Sequence, residues 1–446
     1  MKLIYDVEAK PKFSQTIVFA FQQLLAIMAA TLVVPIIVGN GMSPAAALFG
    51  AGVGTFVYLL FTKFKSPVFL GSSFAFLGSM PVAFAGAASM ALGYLGLILG
   101  AVTAGLVYVI IAIAVKFAGV NWLNKLMPPV VIGPTVAIIG LSLASNAVGD
   151  LQKPGVETGH TLIAILCGIV TLVVVTLCAT FGKKMTRLIP FIIGILSGYA
   201  LAGIFTIIGT VAGVDALKVL NVAPVTALFA DGVKLSSFVT VPEFTFLTAL
   251  GGFKELNLAY IGTIVVAYAP VAFVVFAEHV ADHKNISSII ERDLLEEPGL
   301  HRTLLGDGVG SMAGAFFGGC PNTTYGESVA CVAITGNASV VTICTTSVLA
   351  MLIAFLSPFV AFVNSIPACV MGGVCIALYG FIAVSGLKML QKVDLEQNQN
   401  LFTASTILIT GIGRLSLTFG KVTITSIATA LILGIIVNTI LSAKKQ

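Results

Sequence analysis

Long apolar runs separated by short polar segments make up almost the whole of this chain. Seven runs occupy the first half, at about 14–38, 45–62, 66–85, 91–115, 127–148, 159–181 and 188–211. Seven more follow a mixed polar stretch, at about 258–281, 303–319, 322–338, 339–359, 364–387, 398–416 and 420–442. Because a helix of about 20 apolar residues crosses the hydrocarbon core of a bilayer, the pattern predicts fourteen transmembrane helices.

The composition supports a membrane protein, with 58% hydrophobic residues, 9% charged residues and a mean hydropathy of +1.08. A chain this apolar cannot fold as a soluble globule, so we expect an all-α polytopic protein without a soluble domain. The seven cysteines lie in apolar runs and lack metal-ligand spacing, which indicates buried hydrophobes. The net charge of +5 comes from basic residues gathered at the ends of the runs, so we expect no nucleic-acid partner.

Basic residues predict the orientation when the connections between runs are taken alternately. In a fourteen-span protein, one side carries most of them: Lys2, Lys10, Lys12, Lys63, Lys65, Lys116, Lys125, Lys183, Lys184, Arg187, Lys284, Arg292, Arg302, Lys388, Lys392, Lys444 and Lys445. The other side is sparser and includes Lys153, Arg414 and Lys421. Both termini are then cytoplasmic. The first apolar run is longer than a signal-peptide core, so it is interpreted as a retained span.

Two halves of seven spans each would be related by inversion across the membrane, because seven is an odd number. The stretch GSSFAF at 71–76, in the third run, resembles NTTYGE at 322–327, in the tenth. Both are poor helix formers, since hydroxyl residues stand beside an aromatic and a proline lies just upstream. We therefore predict that short extended segments interrupt spans three and ten near their middles and meet there. The alternative is two ordinary helices whose Ser and Thr side chains bond back to the preceding turn.

Glu327 is the only charged residue between Gly308 and Leu387. A carboxylate at membrane depth costs roughly 2.5 to 3.5 kcal/mol on insertion scales, so it persists where it faces a cavity, a partner or a substrate. This isolation makes Glu327 a candidate binding residue.

A second acidic cluster closes the eighth run, where Glu278 and Asp282 are four residues apart and share one helix face. Glu278 follows a long charge-free stretch, and burial favours the protonated carboxyl, so Glu278 is a candidate proton carrier. Alternatively, it extends to the interface or pairs with a basic residue. The charged residues from Asp282 to Arg302 are interpreted as a solvated cytoplasmic loop.

Three further polar residues in apolar runs invite a functional interpretation. His279 and His283 have a zinc-compatible spacing, but no third ligand is evident, so no metal site is expected. Gln23 lies within the first run, where an amide either joins helices together or contacts a ligand. No arrangement of a nucleophile and a base is evident, so we do not expect an enzyme.

The chain resembles the nucleobase-ascorbate transporter family, also called nucleobase-cation symporters, and within it the bacterial uracil permeases. The matching stretches are QQL at 22–24, GSSFAF at 71–76, AEHV at 277–280, PGLHR at 298–302 and PNTTYGE at 321–327. They follow the family's order and spacing, and the resemblance covers essentially the whole chain.

The resemblance implies two inverted repeats of seven spans, arranged as a core domain and a gate domain. The core would comprise 1–125 and 256–360, and the gate 126–255 and 361–446, with a homodimer formed through the gate. Glu278 and Glu327 would bind a nucleobase, and backbone groups at Phe74 and Gly326 would complete the contact. The ring of Phe74 or of Tyr325 would stack on the base.

Two positions depart from the family pattern. The first-span motif often has His where this chain has Gln23, and Asp282 stands where a well-studied member has histidine. The protonation network, with Glu278 and Asp282 as its candidates here, is therefore expected to differ.

Together these features predict a secondary transporter that imports uracil by proton symport across the bacterial inner membrane. Its partners would be uracil or a related nucleobase and membrane lipid, and it would need no cofactor beyond the coupling ion. Sodium coupling stays open. A xanthine or purine permease of the same fold is the nearest alternative, and an anion transporter or a channel is further removed.

Overall fold

The computed structural model describes residues 3–119, 121–183, 185–419 and 422–443 and is predominantly helical. Of the basic residues used to predict the orientation, Lys2, Lys184, Lys421, Lys444 and Lys445 lie outside this part of the chain. The terminal residues themselves are also outside it, so the cytoplasmic location of the termini stays a prediction.

Eleven helices and one short strand are found among the described residues before position 230. They are α1 (Phe13–Val38), α2 (Pro44–Phe61), β1 (Leu70–Ser72), α3 (Met80–Ala85), α4 (Met90–Ala118), α5 (Asn121–Leu126), α6 (Pro129–Ser142), α7 (Ala144–Leu151), α8 (Thr161–Phe181), α9 (Met185–Leu188), α10 (Pro190–Ala212) and α11 (Ala223–Thr226). A 3-10 turn, Phe74–Gly78, links β1 to α3.

The rest of the described chain contains nine helices and three strands. They are α12 (Thr245–Ala249), α13 (Leu258–Ile290), α14 (Leu300–Gly318), β2 (Asn322–Thr324), α15 (Gly326–Thr335), α16 (Val340–Ile353), α17 (Ser357–Ser365), α18 (Ala368–Leu390), α19 (Asn398–Ile412), β3 (Leu417–Phe419), β4 (Val422–Ile424) and α20 (Ser426–Ala443).

Eight helical segments of the described chain are long and apolar enough to cross a membrane: α1, α2, α4, α6 with α7, α8, α10, α13 and α18. Shorter apolar helices are present at Phe74–Ala85, α15, α16 and Ser426–Ser442. These lengths and compositions indicate a multi-pass membrane protein. The full number of fourteen spans stays a prediction.

Helix α13 is longer than its apolar run predicts. The sequence suggested that this span closes near His283 and that Asp282 begins a solvated loop, but the helix continues to Ile290. That interpretation is wrong, because Asp282 and His283 are both buried. Ile286 and Ile290 extend the buried face of the helix for two more turns, and the carboxylate of Asp282 is accommodated by a hydrogen bond from Thr324.

The chain divides into two compact units, the first comprising Met1–Ser142, Glu243–Met351 and Ile382–Gln446. Within it, α14 packs closely against α2 and α4. A methyl group added at Gly54 of α2 would lie 2.6 Å from the carbonyl oxygen of Gly310 of α14, and one added at Gly105 of α4 would lie 2.7 Å from that of Gly308. Small residues therefore let these helix backbones touch, as is usual in membrane bundles.

The second unit comprises Leu143–Pro242 and Leu352–Phe381. Its helices α8 and α10 also meet at small residues, since a methyl group added at Gly198 would lie 3.2 Å from the carbonyl oxygen of Cys167. The hydroxyl of Tyr199 on α10 lies 2.8 Å from Ser365 Oγ at the end of α17. The division into core and gate domains expected from the family is left as a prediction.

Candidate functional site

The two extended segments predicted from the sequence pair with each other inside the first unit. Strand β1 runs antiparallel to β2, with Leu70 opposite Thr324 and Ser72 opposite Asn322. Two flanking backbone bonds lengthen the pairing, from Ser73 N to the Pro321 carbonyl (2.8 Å) and from Tyr325 N to the Phe69 carbonyl (3.2 Å). The backbone groups along the shared edge of the two segments thus find partners, as buried non-helical chain requires.

The position of these strands within their spans differs from the prediction. Neither strand interrupts the middle of a helix, because residues 65–69 lead into β1 without helical structure and β2 follows directly on a turn at 319–321. Pro67 and Pro321 stand just before the two strands and disfavour helix there. Each segment is therefore an extended stretch followed by a short helix. The alternative of two unbroken helices is wrong.

Tyr325 joins the two strands through its side chain. Its hydroxyl donates to the Ser72 carbonyl oxygen over 2.7 Å, and its ring covers Gly71, where a side chain would collide with it. Tyr325 is only 3% exposed. Its ring is thus used in holding the strand pair, while its predicted contact with a ligand stays a prediction.

Gln23 reaches the first turn of α15 from α1. Its Nε2 donates to Ser328 Oγ over 2.5 Å, and the same oxygen accepts from Phe69 N over 2.9 Å. Ser328 therefore joins α1, the approach to β1 and the start of α15. This contact matches the helix-joining role considered for Gln23.

The predicted ligand residues lie around the start of α15. Gly326 and Glu278 are exposed and Phe74 and Glu327 are partly exposed, whereas most of their neighbours are buried. Glu327 occupies the first turn of α15, where free backbone N-H groups and the helix dipole favour a negative charge. Glu278 on α13 is close enough to the carboxyls of Asp282 and Glu327 to interact with both electrostatically.

Asp282 binds the strand pair directly. Thr324 Oγ1 donates to Asp282 Oδ2 over 2.9 Å, and Asp282 Oδ1 lies 3.7 Å from the position that a Cβ would take on Gly326. This aspartate therefore couples α13 to β2 and to the first residue of α15. The arrangement can offer a flat polar ligand carboxylate acceptors beside free backbone donors.

A second polar network lies behind the strands. His279 Nδ1 is 2.6 Å from Asp307 Oδ2 on α14, and His279 Nε2 is 3.0 Å from Thr303 Oγ1. His283 Nε2 lies 2.7 Å from the hydroxyl of Tyr58, and His283 Nδ1 lies 2.8 Å from the carbonyl oxygen of His279. The two imidazoles stack with centroids 4.0 Å apart. All four ring nitrogens of the two histidines are thus within hydrogen-bond distance of other protein groups.

Sequence reasoning missed Asp307, Thr303 and Tyr58. Asp307 lies inside the ninth apolar run, so the argument that singled out Glu327 applies to it equally. No comparable signal marks Thr303 or Tyr58, because hydroxyl residues are common in membrane helices and usually bond to their own backbone.

Comparisons with known proteins assign the chain to a family. A family model described as "Permease family" matches residues 14–420. A uracil permease of Bacillus caldolyticus is 37% identical over 448 residues, covering 100% of this chain and 96% of the relative. A uracil permease of Escherichia coli strain K12 is 35% identical over 438 residues, covering 96% and 92%. The putative pyrimidine permease RutG of the same strain is 31% identical over 442 residues, covering 97% and 90%.

Solved structures share the fold at low sequence identity. The transmembrane domain of the cyanobacterial bicarbonate transporter BicA superimposes with a TM-score of 0.61 at 13% identity, covering 97% of this chain and 98% of that domain. The murine anion transporter Slc26a9 in its inward-facing state gives a TM-score of 0.64 at 11% identity, covering 98% and 70%. At such identities the likeness concerns the fold alone.

The apolar helices indicate a multi-pass membrane protein, and the match to the permease family indicates a transporter. The chain belongs to the permease family whose model it matches. This result confirms the resemblance to nucleobase-ascorbate transporters and their bacterial uracil permeases.

Proposed function

We propose that this protein imports uracil by proton symport across the inner membrane of a bacterium. The observation that carries the proposal is the convergence of carboxylates from α13 and α15 at the paired strands, with Glu278 and Glu327 interacting electrostatically. The names of the relatives, uracil permease and pyrimidine permease, support the choice of a pyrimidine base.

Uracil suits such a site because its imide edge presents an acceptor, a donor and an acceptor in one plane. A carboxylate accepts from the ring N-H, and a backbone N-H or a protonated carboxyl donates to a ring carbonyl. Hydrogen bonds to charged groups contribute about 1.5 to 3 kcal/mol each, so a few of them suffice for micromolar binding after ordering costs. Phe74, which is partly exposed, supplies a ring for stacking.

The two glutamates have different roles in this mechanism. Glu327 chiefly recognises the base, together with backbone groups at Phe74 and Gly326. Glu278 binds the base and carries the coupled proton, with Asp282 as its neighbour on the same helix face. Protonation neutralises the site, so that the loaded core can move past the gate without taking a net charge through hydrocarbon. Gln23 and Tyr325 hold the elements on which these groups stand.

The architecture that we propose has fourteen spans in two inverted repeats, with both termini in the cytoplasm. Short apolar helices beside the eight long ones support the larger number, since half-helices preceded by strands also cross part of a bilayer. A core moves against a gate in alternating access, and two copies associate through their gates within the lipid.

Uptake of labelled uracil into vesicles with an imposed pH gradient, with and without sodium, tests the proposal. We expect accumulation driven by the pH gradient and independent of sodium. Excess unlabelled xanthine should compete poorly. Accumulation that requires sodium would contradict proton coupling, and strong competition by xanthine would indicate a purine permease.

Two variants separate binding from coupling. Glu327→Ala should abolish uracil binding, whereas Glu278→Gln should abolish accumulation driven by the pH gradient yet leave residual binding. The matched control is Glu296→Gln, which changes an exposed glutamate outside the site. Full proton-driven accumulation by Glu278→Gln would show that another group carries the proton.

A further inference from the structure

The pair formed by His279 and Asp307 is almost completely buried behind the strands. His279 is 0% exposed and Asp307 is 1% exposed, and their contact of 2.6 Å joins α13 to α14. The proposed mechanism uses neither residue. A buried ionisable pair inside a membrane protein commonly marks a functional group.

The hydrogen bonds around His279 show where its protons lie. Thr303 Oγ1 donates to the Leu300 carbonyl oxygen over 3.0 Å, so Thr303 accepts from His279 and Nε2 carries a hydrogen. In a neutral imidazole Nδ1 would then be an acceptor. A contact of 2.6 Å with Asp307 Oδ2 therefore requires one further proton between these two atoms, on either the nitrogen or the oxygen.

A small cavity adjoins this pair, with room for one water molecule. Its lining includes Asp307, Tyr108, Ser311 and Asn322. Asp307 Oδ1 and the Tyr108 hydroxyl are both buried and have no hydrogen-bond partner among the described residues. Two unpartnered polar atoms beside a space of this size are the usual setting of a bound water.

We propose that His279 and Asp307 form a second proton-binding site, whose carboxyl is solvated by a water molecule held between Asp307 Oδ1 and the Tyr108 hydroxyl. The inference rests on the proposed function as a proton-coupled transporter. On release, the shared proton is lost to solvent and Asp307 becomes anionic, and the water then donates a hydrogen bond to Asp307 Oδ1. Uptake of a proton from solvent reverses the change. Among the described residues, the titratable groups facing the pair are Tyr58 on α2, Tyr108 on α4, and Glu278, Asp282 and His283 on α13.

Loss of this proton would change the packing behind the strands. The lone pair of His279 Nδ1 would then face an anionic carboxylate, and the contact between α13 and α14 would open. Helix α14 also supports β2, because Ser311 Oγ accepts from Asn322 N over 3.0 Å. Deprotonation of the pair would therefore loosen the strand that carries the binding site, so uracil should bind less tightly as the pH rises.

Infrared spectroscopy of the full-length protein without uracil tests the proton site independently of the substrate. The protein would carry isotope-labelled aspartate and histidine, so that their bands can be recognised. Asp282→Asn would be present throughout, because Asp307 is then the one buried aspartate in the described chain. We expect a pH-dependent change in the carboxyl or imidazole bands that disappears when Asp307→Asn is added. Bands that do not change with pH, or a change that survives Asp307→Asn, would overturn the proposal.

Tyr108→Phe provides a second variant that keeps the pair itself intact. Removing one partner of the water should shift the midpoint of the infrared titration. An unchanged midpoint would contradict the proposed contact between the water and Asp307. Because this measurement needs no uracil, it holds even if the protein transports another base.

Equilibrium binding of uracil across a range of pH then tests the link to function. One released proton changes affinity by at most about tenfold per pH unit. Asp307→Asn keeps a hydrogen-bond donor towards His279 but removes the group that loses the proton. The affinity of this variant for uracil should therefore fall less steeply with rising pH than the affinity of the wild type. A purely structural role predicts parallel profiles for the two proteins, which would overturn the proposal. Absence of binding in the wild type would instead overturn the proposed function.

Discussion

Single side chains add to the short ladder that holds the two strands of the site together. Tyr325 covers Gly71 and donates to Ser72, and Ser328 holds both Phe69 and Gln23. Three-residue strands make few backbone bonds, so each of these side-chain contacts is a large part of what fixes the geometry at Gly326 and Phe74.

Tyr325→Phe removes one of these contacts and leaves the Ser72 carbonyl without its side-chain donor. We expect a loss of about 1 kcal/mol in stability, as for a typical buried hydrogen bond, and weaker uracil binding. Thermal unfolding in detergent and equilibrium binding measure the two effects. Tyr199→Phe, which removes a comparable hydroxyl in the second unit, should lower stability without changing uracil affinity. Equal loss of affinity in both variants would contradict a local role for Tyr325.

Candidate residues could be found from the sequence where a charge interrupts an apolar run. Glu327 was identified in this way, and Glu278 and Asp282 were identified by their spacing at the end of a run. The structure places all three around the start of α15. The partners of His279 could not be found, because which helix faces α13 depends on the packing of elements far apart in the chain.

At the scale of helices, contacts between glycines set how closely α14 approaches its neighbours. Gly310 meets the backbone of α2 so closely that an added methyl group would lie 2.6 Å from the Gly54 carbonyl oxygen. Asn322 lies in the same region and donates through Nδ2 to the Gly50 carbonyl oxygen over 3.3 Å. Separation of α2 from α14 would therefore also disturb β2.

Gly310→Ala should destabilise the protein by about 1 to 3 kcal/mol through overpacking at this contact. Gly380→Ala is the matched control on α18, since a methyl group there has nothing within 4 Å. The control should be neutral or slightly stabilising, because alanine favours helix over glycine by roughly 1 kcal/mol. Thermal unfolding of both variants checks this difference, and similar melting temperatures would count against the packing argument.

Glu297, in the loop between α13 and α14, forms an ion pair whose contribution to stability depends on pH. The ammonium of Lys65 binds the Glu297 carboxylate and lowers the pKa of that carboxyl below its ordinary value. When folding lowers the pKa of a carboxyl, the carboxyl stabilises the folded protein at any pH above its pKa in the unfolded state. This stabilisation is lost as the pH falls through the pKa of the carboxyl in the folded state.

Glu297→Gln should therefore reduce the loss of thermal stability on acidification relative to the wild type, by a small amount because the pair is exposed. Glu296→Gln, at an exposed neighbouring position, should follow the wild-type curve. Thermal unfolding measured across the acidic range provides the comparison. If both variants lost stability equally on acidification, the ion pair would not be the cause of the pH dependence.

Element types followed from the sequence more readily than element boundaries. Proline and hydroxyl residues correctly indicated extended backbone in the third and tenth runs, because they disfavour helix locally. The end of α13 did not follow, since a buried carboxylate and a solvated one look alike until Thr324 is seen to donate to Asp282.

At the scale of the whole molecule, apolar runs identified a multi-pass membrane protein and the order of its helices. They do not reveal the two compact units, because each unit combines stretches that are distant in sequence. Periodicity along one chain carries no information on which helices become neighbours.

Coupling to protons can be measured on the intact transporter. If one proton accompanies each uracil, an imposed gradient of one pH unit should concentrate uracil by up to about tenfold inside vesicles, because one pH unit corresponds to 1.36 kcal/mol. Dissipating the gradient with a protonophore should return the ratio to one. A ratio unaffected by the protonophore would contradict symport.

The antiparallel pairing of Leu70 with Thr324 also constrains how the protein is made. During synthesis, β1 enters the bilayer long before β2 has left the ribosome. Its amide and carbonyl groups must therefore find temporary hydrogen-bond partners in water, in the translocon or in a chaperone. The amino-terminal half expressed alone should therefore be degraded. Coexpression with the remaining half, as two separate polypeptides, should restore a uracil-binding complex.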